Sequence, residues 1–158
     1  MVRKRLSIRA LSDLADKWPD PRTPEWITGQ LAKLLAHKGL RFDQLSWHAE
    51  KLVEIMRSQE MYPSEGPKKR AKWLESLIVE QLKSVAAEIT AWHPEDEAST
   101  LKGLLILFGL KGKYAGIKLA ERRDAAANEL NIRPETLRVK YQALYVEALA
   151  ERLYNLLP

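Results

Sequence analysis

Between Lys111 and Lys140 the sequence sets cations and one hydroxyl at spacings suited to a polyanionic partner. Arg138 and Thr136 are the candidates for reading a base edge. A guanidinium donates to two acceptors of guanine at once, which discriminates by about 1–3 kcal/mol, and a threonine hydroxyl serves either base class. Lys111, Lys113, Arg133 and Lys140 are the candidates for phosphate contacts, where an ammonium or guanidinium neutralises charge without reading sequence. Lys111 and Lys113 lie in a glycine-punctuated loop, Gly109 to Gly116, and the other four candidates follow closely on one another from Arg133.

Other chemistry finds less support. The loop is not a nucleotide-binding P-loop: Leu107 stands where the first glycine is needed and Tyr114 where Ser or Thr would hold magnesium. Gly109-Leu110-Lys111-Gly112 matches a GXXG clamp, but that clamp belongs to a fold with strands. His37, His48 and His93 are too scattered for a helical metal pair, and no cysteine is present, which removes thiol catalysis, disulfides and thiolate metal sites. The carboxylates read as solvated faces and helix caps, with no nucleophile, base and oxyanion site grouped among them. The expectation is a non-enzymatic protein with no cofactor and no metal.

The elements that must position the candidates form a hairpin, Arg122 to Tyr145. In its first helix Ala125, Ala126 and Ala127 allow close approach of a second helix, and Leu130 closes the buried face. Asn131 suits a left-handed turn, Ile132 plugs the corner, Pro134 tolerates a first helical position, and Leu137 anchors the second helix. The apolar stripe then runs Leu137, Tyr141, Leu144, Tyr145, Ala148, Leu149, Leu153 and Leu156, a helical face longer than a recognition helix needs.

This segment resembles the helix-turn-helix family of bacterial regulators, within residues 117–145. The turn carries Asn131 in place of the usual glycine, Arg133 stands at the N-cap, and Lys140 replaces an apolar residue after the anchor. The resemblance implies duplex DNA as partner, a role in transcription regulation, and a homodimer formed through the long stripe. Other readings remain open. The hairpin is also an ordinary way to pack two helices. The long last stripe and the missing N-cap suit a non-enzymatic helical adaptor with a helical protein partner, and Glu121-Arg122-Arg123, Ala126-Ala127 and Thr136-Leu137-Arg138 before Tyr141 resemble segments of bacterial signalling and conflict proteins. A basic subunit of a ribonucleoprotein assembly fits the charge alone.

Composition agrees with a polyanionic partner. The 158 residues carry 26 Lys and Arg against 21 Asp and Glu, a formal excess of +5, and 46% of residues are hydrophobic, enough for a core. Further basic groups cluster at Arg3, Lys4, Arg5 and Arg9, and at Lys68, Lys69, Arg70 and Lys72. No apolar run has the length of a signal peptide core or a membrane span, so a cytoplasmic protein without membrane contact is expected. Core burial is the expected role of most of the five tryptophans, with Trp47 and Trp73 as candidates for exposed contacts or for stacking on single strands.

Apolar spacing is helical almost throughout, which predicts an all-α bundle of about six to seven helices ending in the hairpin. Helices are expected over Ser7 to Lys17, from Pro24 with Thr23 as cap to Gly39, from an Asp43 cap to Glu60, from Pro67 to Trp92 as the spine, and from Pro94 to Phe108. His37 and His93 read as cap or loop residues. The division falls between residues 1–60 and 67–158, at the loop Tyr62 to Pro67, within one compact domain.

Overall fold

A computed structural model describes residues 7–56, 66–93 and 95–158. They form an all-α bundle, and no strand occurs among them. The expected helix end near Glu60, most of the Tyr62 to Pro67 loop, the Arg3 to Arg5 cluster and Pro94 lie outside the described residues.

Ser7 starts the first helix of the described residues by accepting from the Ala10 N–H at 3.1 Å. The expected single helix divides at Asp13 into α1 (Ile8–Ser12) and α2 (Leu14–Lys17). α3 (Pro24–Ala36) has the predicted start: the Thr23 hydroxyl accepts from Trp26 N–H and Pro24 occupies the first turn. It packs its Ile27, Leu31 and Leu35 face among α1, α2 and the last helix.

The third expected helix is corrected in two respects. It breaks at Ala49, dividing into α4 (Phe42–His48) and α5 (Glu50–Met56). Its cap position is Arg41 rather than Asp43, because Glu75 of the neighbouring helix supplies the acceptor: its carboxylate takes the Phe42 N–H at 2.6 Å. That neighbour is α6 (Pro67–Ile89), the spine, which buries Leu74, Ile78, Leu82, Val85 and Ile89. A 3-10 turn (Thr90–Trp92) ends it. α7 (Glu97–Leu107) begins later than Pro94 because the Asp96 carboxylate, accepting from Ser99 N–H at 2.8 Å, makes the better cap.

A 3-10 turn (Gly112–Tyr114) leads to α8 (Leu119–Leu130), and a three-residue turn to α9 (Pro134–Thr136). The path continues through a π-helical turn (Leu137–Tyr141) into α10 (Gln142–Asn155). Among the described residues these divisions split expected helices into shorter segments, and the multi-helix all-α architecture is as expected.

The π turn corrects the apolar stripe. Gln142 N–H donates to the Leu137 carbonyl, five residues back, so the helix gains one residue and its buried face shifts. Gln142, Tyr145, Val146, Leu149, Ala150 and Leu153 are buried, whereas Leu144 and Leu156 are exposed. Among the tryptophans Trp26 is buried, Trp73 is partly so, and Trp47, a candidate for an exposed contact, is 82% exposed; the correction concerns Trp18 and Trp92, which are exposed rather than in the core.

α3 and α7 meet at their C-terminal ends. Leu40 N–H donates to the Phe108 carbonyl at 2.8 Å, and Gly39 (φ +97°) abuts Gly109 (φ +69°). A Cβ on Gly39 would stand 2.6 Å from the Phe108 oxygen, so only glycine fits both the left-handed backbone and the contact.

Candidate nucleic-acid interface

The hairpin is built on α7. Gly103 of that helix leaves room for Leu130, whose Cγ would be 2.7 Å from any Cβ at that position. Ala126, Ala127, Leu130 and Leu137 are buried, and Ala125 is half-buried against the core. Asn131 adopts the left-handed conformation (φ 54°, ψ 43°), and Ile132 N–H returns to the Ala127 carbonyl at 3.0 Å, which closes the helix end. Arg133 is extended (φ −75°, ψ 144°) and gives no side-chain cap, so the first N–H groups of α9 are left open beyond Pro134.

On the second helix Leu137 faces inward while Arg133, Glu135, Arg138, Val139 and Lys140 are exposed and Thr136 is half-buried. Arg138 forms a fork-to-fork pair with Glu135, Nε to Oε2 at 3.2 Å and Nη2 to Oε1 at 2.5 Å. The hydrogen bonds of this pair hold the Glu135 carboxyl below its usual range and the guanidinium above its own.

Arg123, not among the expected DNA contacts, joins this group. Its Nε donates to the buried Gln142 side chain at 2.9 Å; burial first, and then repulsion from Arg138, lowers its pKa. Lys140 lies over the Tyr141 ring, 5.1 Å from its centroid.

Lys111 and Lys113 are exposed at the 3-10 turn, and Lys113 covers the Tyr114 ring at 5.4 Å. Tyr114 faces Lys102, whose ammonium pairs with Glu129 at 2.9 Å. No hydrogen bond, ion pair or ring contact among the described residues joins this loop to the Arg138 group. The candidates therefore form two neighbourhoods, one on the second helix and one on the loop.

Two buried residues brace the hairpin, and sequence reasoning missed both. Arg122, fully buried, donates from Nη1 to the Leu107 carbonyl and from Nη2 to the Leu35 carbonyl, both at 2.5 Å, and from Nε to the Ile117 carbonyl at 2.9 Å. Burial pulls its pKa down to about 10. The carbonyl-rich ends of α3 and α7 serve as its counter-charge in place of a carboxylate.

His93 caps the end of the 3-10 turn, as expected, but it is also 6% exposed and hydrogen-bonded through Nε2 to the Tyr145 hydroxyl. Its Nδ1 is buried without a partner. The Tyr141 ring stacks between Trp92 (6.3 Å) and Tyr145 (6.1 Å), so the end of α6 is pinned to the π turn. Burial, and less strongly Lys140, lowers the His93 pKa; burial raises that of Tyr145.

Among the described residues no helix is long and apolar enough to cross a membrane. Comparison with protein-family models, with curated proteins and with solved structures finds no match.

Proposed function

We propose that the protein binds duplex DNA through the α8–α9 hairpin, with the turns from Pro134 to Tyr141 entering the major groove. Arg138 faces a base edge beside Thr136, and Arg133, Lys140, Lys111 and Lys113 neutralise phosphates. The observation that carries the reading is the division of the second helix: Leu137 is buried under it while Arg133, Arg138 and Lys140 all face solvent. Glu135 presets the Arg138 fork, and because the pair is solvent-exposed it exchanges readily for a guanine edge. A regulator of transcription is the simplest role for such a reader.

A second reading has its own observation. Val139 and Leu144 are exposed on the same helical path, and a partner helix would bury them. That is the adaptor reading, and a second copy of this chain is one such partner.

Fluorescence anisotropy against random-sequence duplex, single-stranded DNA and RNA, at low and near-physiological salt, separates the two. The DNA reading expects duplex binding that weakens steeply with salt. It also expects Arg138→Ala to reduce preference for a selected site about tenfold or more, and Lys113→Ala to weaken all sequences alike. Absence of binding to all three nucleic acids at low salt leaves the adaptor.

A further inference from the structure

We infer that the junction of α4 and α6 is a second phosphate-binding surface, placed so that one duplex bound at the hairpin reaches it; the spanning rests on the DNA reading above. Three cations converge on one ring. The Arg41 guanidinium lies 5.3 Å from the Phe42 centroid, Lys72 Nζ 4.9 Å and Lys68 Nζ 5.9 Å, and exposed Lys69 follows Lys68 in the first turn of α6.

Like charges brought together in this way repel, yet no ion pair relieves them among the described residues. Elsewhere cations do pair: Lys33 with Asp16, Lys83 with Glu80, Lys102 with Glu129 and Arg152 with Glu88. Of the carboxylates close in sequence, Glu65 lies outside the described residues, Glu75 accepts the Phe42 N–H, and Asp43 has a buried Oδ1 without a partner. The first turn of α6 holds no acidic residue and no side-chain cap, so the positive end of a 23-residue helix adds to the field. An external polyanion would add the paired counter-charge that these cations lack among the described residues.

Two observations favour a nucleic-acid backbone over an anionic lipid surface. Trp47 is the one large apolar side chain exposed on α4, α5 or α6 among the described residues, so no apolar face is available to enter the acyl boundary. The second is spacing. α6 runs from this cluster to the turn where Trp92 stacks on Tyr141, beside Lys140. At about 1.5 Å per residue its length is about 34 Å, close to one turn of B-form duplex.

The test uses the full chain, a Lys68→Ala/Lys69→Ala/Lys72→Ala variant and an Arg138→Ala/Lys140→Ala variant, all checked for helicity by circular dichroism. Each is titrated against labelled duplexes of about 10 and about 24 base pairs. The expected result is that the triple variant binds the long duplex about tenfold or more weakly, with a salt slope reduced by about 2–3, and the short duplex as wild type does. Unchanged binding of the long duplex overturns the inference, and so does an equal loss on both lengths while the hairpin variant is also impaired. If the triple variant loses binding while the hairpin variant binds as wild type does, the hairpin reading fails and the α4–α6 surface stands alone. If wild type ignores both duplexes, the inference fails; release of the triple variant from phosphatidylserine vesicles that hold wild type would identify a lipid surface instead.

Discussion

Arg122 donates from Nη2 to the carbonyl oxygen of Leu35 at 2.5 Å, across 87 positions of sequence. With the Leu107 and Ile117 carbonyls and, at 3.4 Å, that of His37 as further acceptors, one side chain of α8 holds together the C-terminal ends of α3 and α7. Arg122→Met keeps much of the volume but strands those carbonyls in a buried site. Urea unfolding is expected to show a loss of about 3–5 kcal/mol. A loss below about 1 kcal/mol would mean that the helix ends hold together without the guanidinium.

The same junction depends on its glycines. Gly39→Ala must place a Cβ 2.6 Å from the Phe108 oxygen on a backbone with φ +97°. The left-handed strain alone costs about 1–3 kcal/mol, and the contact adds to it. Gly112→Ala is the control, since nothing lies within 4 Å of its Cβ position. Thermal melts should fall clearly for the first variant and little for the second; equal melting temperatures would contradict the close approach.

Local signals were legible in the sequence, and distant partners were not. Thr23-Pro24 announced the start of α3, and Asn131-Ile132-Arg133-Pro134 the hairpin turn, because each rests on backbone chemistry within a few residues. The inward Leu137 and the all-α class followed from periodicity. Arg122 read as one cation among several in a basic stretch, since its acceptors belong to α3, α7 and the turn before α8. The start of α4 was misplaced because its cap comes from Glu75, 33 positions away. The π turn escaped because its extra residue only becomes visible once the buried face beyond Gln142 is known.

His93 makes stability depend on pH. Its folded-state pKa lies below the ordinary 6.5, so the unfolded chain binds its proton first. The contribution of this residue is complete above pH 6.5 and is lost as pH falls from there through the lowered folded value; each unit of depression contributes about 1.4 kcal/mol. His93→Gln should flatten the change in unfolding free energy between about pH 7.5 and pH 5. An identical slope in the variant would assign the acid sensitivity to other groups.

The π turn separates folding from binding. Deleting Val139, an exposed residue within it, brings Gln142 to four residues from Leu137, so an ordinary α-helical bond replaces the five-residue one and the buried face of α10 keeps its direction. Deleting Ala148, inside regular helix, instead turns Leu149, Ala150 and Leu153 about 100° away from the core, each leucine forfeiting about 1.5–3 kcal/mol of burial. The Val139 deletion should melt cooperatively within about 5 °C of wild type, and the Ala148 deletion should not fold stably. Lys140 and Tyr141 change direction in the Val139 deletion, which removes the Trp92 stack and the phosphate contact proposed beside it. Weakened duplex binding by a folded protein is therefore expected, and unimpaired binding would show that the interface lies N-terminal to the turn.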